Sequence, residues 1–523
     1  MTSPVDGPDS PPRGNFILLA LITGAIVANI NLAVANVALP TIGAELDASQ
    51  TQLDAIAVAF ALGLASTVLY LGAIGDRYGR KMLFVLGAVL TVPTACMAAW
   101  APSADFLAFA RLCSGFAAAL LFPTTLSLIS SLFKRKARVR AIALWSGLGA
   151  GFAAVGPLIG GWLMEYFWWG SVFLISVPLA VIALIVGVIV IPSHIPGDSG
   201  PVDHLGGVLS VIGVGGLVVL IQTFHQGVDA QWLTILTVTV LAFIGFFMRQ
   251  SRAPRPLVSL PLARARTFWV AFAAGSIAFS SLIGAMFIGQ QFTQNVLGYD
   301  TLSAAAVVLP SAICSAVFGQ IAGQLIIRRG SRSPLSLGLV SIGIAFSIML
   351  VTWREGASMG WVLAAYAFVG TGVGLSATPT SRALMSSVPQ SHAGMGSAFL
   401  DLTRDLGGAV LQALLGGILA AAYTKQMTAD ITGLPADQAT QVTDDIANQL
   451  TSSFAGAADV ASQYPPSTAE EIINAASRAF TEGKSAAIIV ALALTIIGFA
   501  LVRLRFPAKE VEDAYYAKVA VEH

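Results

Sequence analysis

Charged residues are scarce in this chain. Asp, Glu, Lys and Arg make up 11% of its 523 residues, whereas 56% of the residues are hydrophobic. A soluble protein carries about 25% charged residues, so this composition indicates an integral membrane protein. The net charge of +1 also argues against a nucleic-acid partner, which requires a strongly basic surface.

Cysteine and histidine are equally rare. The three cysteines all fall inside apolar runs, which argues against a disulfide framework. The five histidines are scattered, and no group of residues has the spacing of metal ligands. The chain also lacks the GxxxxGK[ST] loop that cradles nucleotide phosphates. We therefore expect no enzymatic activity, no metal, no cofactor and no step driven by ATP.

Long apolar runs fill most of the chain. Runs long enough to cross about 30 Å of hydrocarbon as helices begin near Phe16, Gln52, Leu83, Asp105, Ala141, Val172, Leu205, Trp232, Phe268, Leu302, Pro334, Gly360, Gly396 and Ser485. Most Lys and Arg residues fall on one side of the membrane if the N-terminus is cytoplasmic, which agrees with the positive-inside rule. The sequence predicts an all-α integral membrane protein with fourteen transmembrane helices.

The turn between the second and third runs, Gly72–Lys81, places four charged residues and three glycines in ten positions. Charges must lie outside the hydrocarbon, and the excess of Arg and Lys favours the cytoplasmic side. The segment GAIGDRYGRK resembles the loop GxLADRxGRK of the major facilitator superfamily. The resemblance implies a conformational latch, closed in one state of a transport cycle, formed by Asp76, Arg77, Gly79 and Arg80.

Further motifs resemble the fourteen-helix drug:proton antiporter branch of that superfamily. They are Asn36-Val-Ala-Leu-Pro40 in the first span, Arg111 and Gly115 in the fourth, Gly156, Pro157, Gly160 and Gly161 in the fifth, Gln294 and Gly298 at the end of the ninth, and Arg404 with Gly407 and Gly408 in the thirteenth. The glycines of the fifth span let helices approach closely. The resemblance implies the major facilitator fold, with two six-helix bundles and two extra central helices. It also implies a multidrug efflux antiporter that exports amphipathic, drug-like compounds across the plasma (inner) membrane and draws on the proton gradient.

This interpretation divides the chain into five parts. Residues 1–15 are a cytoplasmic tail, 16–191 the first bundle, 192–267 the extra helices with a cytoplasmic loop, 268–503 the second bundle and 504–523 a cytoplasmic tail. The external loop 425–484 is acidic, and Thr468 with Glu471 predicts a helix start there, with its end at Gly483. The loop is either a solvated connector or a gating or docking element. We further expect a monomer in the lipid bilayer.

The chain departs from the branch where a proton carrier is expected. The branch has an acid five positions before the asparagine of NVALP, and this chain has Asn31 there. An amide cannot take up and release a proton near neutral pH, so Arg111, at a similar depth, lacks its usual partner. Asp54, at the outer start of the second span, is either a substitute or a solvated acid at a helix start. Uncoupled transport therefore stays open.

The thirteenth span carries Asp401, Arg404 and Asp405 at i, i+3 and i+4, on one helix face. Ionisable groups within a membrane are functional-site hypotheses by default. Counted at about 1.5 Å per residue from the turn near Ser391, Arg382 and Asp401 both lie at mid-membrane, which predicts an Arg382–Asp401 ion pair. Asp405 is then the carboxylate left to carry a proton. The alternative is a buried network that fixes helix register without titrating.

Several polar and aromatic residues within the spans are candidates for a substrate cavity. They are Asn29, Asn31, Asn36, Trp145, Gln290, Gln291 and Gln294. Amides also join neighbouring helices, so these residues have a packing interpretation as well. The rival functions are export of an endogenous lipid, metabolite or siderophore and, more remotely, a membrane receptor or scaffold that does not transport.

Overall fold

The computed structural model describes residues 10–48, 50–192, 201–223, 229–254, 256–258, 260–299, 301–389, 393–433 and 442–521. No strand occurs in these ranges. Thirteen of the described helices are long and apolar enough to cross a membrane. A further long helix, Arg135–Tyr166, lies at the predicted fifth span, so the prediction of an all-α membrane protein with fourteen spans is confirmed.

We number the helices in chain order. They are α1 (Gly14–Glu45), α2 (Gln50–Tyr78), α3 (Arg80–Ala99), α4 (Ala104–Leu132), α5 (Arg135–Tyr166), α6 (Ser176–Val190), α7 (His204–Thr223), α8 (Ala230–Arg252), α9 (Arg266–Gln291), α10 (Leu309–Arg329), α11 (Arg332–Thr352), α12 (Met359–Ser386), α13 (Ala393–Thr432), α14 (Asp444–Ser452), α15 (Phe454–Ala461), α16 (Pro466–Arg505) and α17 (Lys509–Val521). A helical turn, Ser171–Leu174, precedes α6, and a π-helical turn, Phe292–Val296, follows α9.

The spans form two bundles, each with its own apolar core. In the first bundle, α1–α6, α2 and α3 pack on α4, and α1 packs on α5 and α6. In the second, α9–α13 with α16, α10 and α11 pack on α12, and α13 packs on α9 and α16. Phe60 and Phe84 are fully buried in the first core, and Phe346 and Trp353 in the second.

The extra helices α7 and α8 pack on each other beside the first bundle. Helix α7 lies against α2 and also contacts α13. The Tyr70 hydroxyl of α2 is 2.7 Å from Nδ1 of His204, and the two rings meet edge to face. A Cβ on Gly207 would lie 2.2 Å from the Tyr70 ring, so α7 and α2 approach as closely as a glycine allows.

Local capping explains several helix boundaries. The Ser103 hydroxyl accepts the Phe106 N–H at the start of α4, and the Asp229 carboxylate accepts the Trp232 N–H at the start of α8. Such side-chain oxygens satisfy N–H groups that a helix start leaves without partners. Between α2 and α3, Gly79 has a φ of +112°, a backbone conformation that favours glycine. We call the end of the molecule that carries Gly79 and the start of α13 the basic end.

The predicted loop 425–484 is largely helical where the structure describes it. Helix α13 continues to Thr432, and α16 begins at Pro466, close to the predicted start. The predicted end at Gly483 is wrong, because α16 runs unbroken to Arg505. A Cβ on Gly483 would lie 2.6 Å from the Leu419 carbonyl oxygen, so this glycine allows close packing of α16 on α13.

Two short helices cover the far ends of α13 and α16. Helix α14 packs on α13, and α15 packs on α16. The Tyr423 hydroxyl of α13 is 3.2 Å from the carbonyl oxygen of Leu450 and 3.1 Å from that of Ser453. We call α14 and α15 the acidic cap, since their residues include Asp444, Asp445 and Asp459.

Candidate functional site: a latch and a cavity between the bundles

The last turn of α2 contacts the start of α13 across the bundle boundary. Both carboxylate oxygens of Asp76 lie within 3.0 Å of the Gly394 backbone nitrogen. The same carboxylate accepts from Nε and Nη2 of Arg80, at 3.0 and 2.9 Å. Arg80 also donates to the Ser131 hydroxyl at the end of α4. A negative charge at a helix N-terminus is favourable, so Asp76 joins the bundles at the basic end.

The backbones of the two bundles touch beside this carboxylate. A Cβ on Gly394 would lie 2.3 Å from the carbonyl oxygen of Gly72, and a Cβ on Gly72 would lie 2.8 Å from that of Gly394. Real Cβ contacts are longer than either distance. Only glycine at these two positions allows the latch to close as observed.

Helices α5 and α10 extend this contact from the basic end to mid-depth. A Cβ on Gly147 would lie 3.2 Å from the carbonyl oxygen of Ala316, and one on Gly319 would lie 3.1 Å from Gly147 Cα. The hydroxyls of Ser146 and Ser381 are 3.3 Å apart, joining α5 to α12. The described structure is therefore closed at its basic end.

A small cavity, with room for about one water molecule, lies between the two bundles. Its walls include Asn29, Phe122, Trp145 and Ser146 from the first bundle and Phe279 and Arg404 from the second. Asn29, Phe122, Trp145, Phe279 and Arg404 lie between 10 and 15 residues from the basic end of their helices. At about 1.5 Å per residue, this depth is the middle of a bilayer about 30 Å thick.

Arg404 joins the two bundles at this depth. Its Nη2 donates to the side-chain oxygen of Asn29. The guanidinium lies over the Phe122 ring at 4.9 Å and over the Phe279 ring at 5.5 Å. Trp145 stacks on Phe122 at 5.4 Å and donates its indole N–H to Thr125. The result is a cation held between aromatic faces, an arrangement that stabilises the charge where water is scarce.

The structure brings together some of the predicted cavity residues and separates others. Asn29 and Trp145 line the cavity with Arg404. The Asn31 amide donates to the Val27 carbonyl within α1. Gln290 and Gln291 lie in the last turn of α9, and Gln294 is exposed in the following π-helical turn, far from the basic end. The side chains of Asn36, Asp54, Pro157 and Asp405 lie outside the described part of the chain.

Arg111 interacts with the main chain of the residue that replaces its expected acid. Its Nη1 donates to the Asn31 carbonyl oxygen at 2.9 Å. The guanidinium is 1% exposed and lies over the rings of Phe60 and Phe173, at 4.8 and 5.5 Å. A carbonyl dipole and two aromatic faces thus stabilise this buried charge.

The predicted ion pair between Arg382 and Asp401 is wrong. Arg382 pairs with Glu512 at 3.3 Å and with Asp513 at 2.8 Å, both on α17. Helix α12 ends at Ser386, which places Arg382 about 6 Å from the helix end at 1.5 Å per residue. A depth counted from the turn near Ser391 includes residues beyond the end of α12 and therefore places Arg382 too deep. Asp401 is 2% exposed and lies eight residues into α13.

The glycines of the fifth span pack within the first bundle. Gly156 and Gly160 are buried, and Gly161 is half-buried. A Cβ on Gly160 would lie 2.7 Å from a methyl group of Val34 in α1. Gly160 therefore lies where α5 packs on α1.

Sequence reasoning missed Phe122 and Phe279, which hold Arg404. The chain has 28 phenylalanines, most of them in apolar runs, and nothing in the sequence distinguishes these two. Gly394 was also missed, although its N–H is the latch partner of Asp76.

In the described part of the chain, twelve long helices in two bundles and two extra helices beside the first bundle, with a latch across one end and a central cavity between the bundles, define a multi-pass membrane transporter. A family model described as Major Facilitator Superfamily matches residues 21–411. The chain belongs to this superfamily, as its loop and helix motifs predicted, and it is a transporter rather than an enzyme.

Its relatives include several drug exporters. "Multidrug efflux pump LfrA" of Mycolicibacterium smegmatis is 31% identical over 503 residues, covering 95% of this chain and 97% of the relative. "Methyl viologen resistance protein SmvA" of Salmonella typhimurium is 30% identical over 477 residues, covering 90% and 94%. "Drug efflux pump JefA" of Mycobacterium tuberculosis is 27% identical over 507 residues, covering 95% and 99%.

Proposed function

We propose that this protein exports amphipathic, drug-like organic compounds from the cytoplasm in exchange for protons. The observation that carries the proposal is the cavity at mid-depth between the bundles, where Arg404 lies among aromatic walls. Transporters of this kind bind substrate near the bilayer midplane, between structural repeats. The relatives named for multidrug efflux and methyl viologen resistance support the class of substrate.

The positive-inside rule places the basic end in the cytoplasm. On this assignment both termini are cytoplasmic, the acidic cap is external, and the observed arrangement is closed towards the cytoplasm. Substrate entry then requires that Asp76 release the start of α13 and that Gly72 and Gly394 separate. The latch contacts belong to one state of the cycle, so they set the balance between the two states.

The cavity walls suit substrates of varied shape. Phe122, Phe279 and Trp145 present ring faces, which attract apolar and aromatic groups with little directional demand. Asn29 supplies the polar contact. Such a surface accepts many amphipathic compounds rather than one.

The proton site that we propose is on α13. Asp401 is buried one helical turn before Arg404, and Asp405 follows Arg404 in sequence. Asp405 was favoured as the proton carrier because Asp401 was expected to pair with Arg382. Arg382 pairs with Glu512 and Asp513 instead, so Asp401 and Asp405 are both candidates for the proton carrier. Two carboxylates four residues apart on one helix face are expected to titrate as a pair. Protonation of either carboxylate changes the charge around Arg404, whose guanidinium contacts the aromatic walls of the cavity. Proton binding and substrate binding would therefore compete through Arg404.

The test uses the purified protein in proteoliposomes with an imposed pH gradient and a fluorescent lipophilic cation. We expect Asp401→Asn, Asp405→Asn or both to bind the cation but to lose substrate-induced proton release. Asp203→Asn is the matched control, because Asp203 pairs with Arg249 within the extra helices, away from the cavity.

Normal proton exchange in both α13 variants would show that their charges are structural. Coupling would then lie at Asp54 or be absent. Transport without proton movement in the unaltered protein would favour an uncoupled facilitator, a second candidate that Asn31 supports, since its amide cannot titrate and donates within α1.

A further inference from the structure

The C-terminal helix α17 docks on the basic end of the second bundle. Glu512 is fully buried and accepts the backbone N–H of Ser331 at 2.9 Å, as well as the Ser331 hydroxyl. Lys509 donates to the carbonyl oxygen of Ile327 at 2.8 Å, at the end of α10. Ser331 immediately precedes α11. The tail helix therefore holds the turn between α10 and α11.

The same helix neutralises Arg382 of α12. Glu512 and Asp513 both form ion pairs with its guanidinium. The Tyr516 ring lies 5.4 Å below that guanidinium. Burial, followed by the negative charge of Glu512, raises the pKa of Tyr516 well above its ordinary value, so the phenol stays neutral. Two carboxylates and one neutral ring thus surround a single cation.

The turn that α17 holds corresponds to the turn of the first latch. Gly79 separates α2 from α3 with a φ of +112°, and Gly330 separates α10 from α11 with a φ of +77°. Asp76 lies three residues before Gly79, and the residue three positions before Gly330 is Ile327. The second turn therefore has no carboxylate of its own at the latch position.

The position of Arg80 is also changed. In the first turn Arg80 follows Gly79, whereas in the second turn Ser331 follows Gly330. The cation beside the second turn is Arg382, near the end of α12. Both turns thus combine a carboxylate, a guanidinium, a serine hydroxyl and a helix N-terminus. In the second turn the carboxylate, Glu512, comes from the C-terminal helix.

The charge of Arg382 acts across the bundle boundary. The start of α5, which carries Arg138, contacts the second bundle: a Cβ on Gly323 of α10 would lie 3.9 Å from the carbonyl oxygen of Val139. Further along α5, the Ser146 hydroxyl is 3.3 Å from that of Ser381, the residue before Arg382. The like charges of Arg138 and Arg382 therefore face each other across the boundary and repel. Arg138 itself donates to the carbonyl oxygen of Phe133 within its own bundle. The closed basic end therefore brings two cations together, and the carboxylates of α17 offset their repulsion.

We propose that α17 is a second latch, which stabilises the closed basic end by supplying Glu512 and Asp513 to Arg382 opposite Arg138. Removal of these carboxylates leaves two unbalanced cations across the boundary and favours opening of the basic end. Binding or modification that displaces α17 would act as a switch on the transport cycle. The proposal does not depend on the substrate or on proton coupling.

The test measures the distance across the basic end by double electron–electron resonance. The spin labels are placed at Lys136→Cys in α5 and Arg266→Cys in α9, both exposed, with the three native cysteines replaced by serine. We expect Glu512→Gln with Asp513→Asn to raise the ratio of open to closed forms about tenfold, the usual effect of losing a charge-assisted interaction. Glu510→Gln, an exposed acid on the same helix, is the control and should leave the ratio unchanged.

A rescue separates electrostatics from mere loss of structure. Adding Arg138→Gln to the double variant removes the cross-boundary repulsion and should restore most of the closed form. Asp513→Asn alone, at a more exposed site, should give a smaller shift in the same direction. An unchanged ratio in the folded variants, or a shift that Arg138→Gln does not reverse, would overturn the proposal. Because the measurement needs neither substrate nor pH gradient, its failure is distinct from a failure of drug:proton exchange.

Discussion

Replacement of Asp76 by asparagine isolates the energy of the first latch. The carboxylate makes two kinds of contact, one to Arg80 within the first bundle and one to the Gly394 N–H of the second bundle. Only the second contact is broken when the bundles separate. Asparagine has nearly the same shape, so the variant removes the charge and leaves the packing of Gly72 on Gly394 in place.

The expected magnitude follows from the broken contact. A hydrogen bond to a charged group contributes about 1.5–3 kcal/mol. A neutral amide oxygen still accepts from Gly394 but loses most of that increment and the favourable charge at the α13 N-terminus. At about 1.4 kcal/mol for each factor of ten, the ratio of open to closed forms should rise roughly 5- to 100-fold. The fold should persist, because Arg80 keeps its contact with Ser131.

The label pair at Lys136 and Arg266 reports this ratio directly, and transport of a fluorescent cation reports its effect on the cycle. We expect transport to fall several-fold while the amount of protein in the membrane stays near that of the unaltered chain. Asp203→Asn again serves as the control, since it removes a comparable buried carboxylate that does not cross the boundary. Unchanged distances and unchanged transport in a well-folded Asp76→Asn protein would refute the latch.

Three further predictions concern other described contacts. Gly394→Ala should open the basic end without any change of charge, because its Cβ would lie 2.3 Å from the Gly72 carbonyl oxygen; Gly417→Ala, in open space on the same helix, should leave the label distance unchanged. Lys484, fully buried with a carbonyl and a Phe ring as partners, should tolerate methionine with an equal or higher thermal unfolding midpoint, since loss of a buried charge is often neutral or stabilising; a drop of many degrees would contradict this. Leu450→Ala should destabilise the acidic cap by about 2–3 kcal/mol, seen as faster proteolysis of α14 with transport retained; equal protease resistance would show that the cap does not depend on this side chain.

The spans could be predicted because each transmembrane helix must by itself be apolar and form all of its backbone hydrogen bonds. A helix that crosses the hydrocarbon needs about 20 apolar residues whatever its neighbours are, so the signal is local. Helix α5 shows the limit of this signal, since glycines and flanking charges dilute its apolar character, yet α1 and α10 bury it. Family motifs supplied what hydropathy could not, including the expectation of a latch at Asp76.

The partners of buried charges could not be predicted in the same way. Arg111 is stabilised by the main-chain carbonyl of Asn31, and every residue has such a carbonyl, so no sequence pattern marks it. Arg382 was placed too deep because its helix ends before the turn that was used as the reference. The signal that could have corrected it was chemical: a half-buried arginine near a membrane surface requires carboxylates, and Glu512 and Asp513 are adjacent acids in an otherwise unexplained tail.

Helix α13 is one continuous helix that begins at Ala393, passes the cavity at Arg404 and contacts the acidic cap at Tyr423. Its 40 residues correspond to a length of about 60 Å. We therefore expect a movement of α13 at the latch to reach its opposite end, where the acidic cap packs on the same helix. If the acidic cap is external, as proposed, an antibody fragment raised against it is expected to restrain α13 and to hold one state of the transporter without entering the cavity.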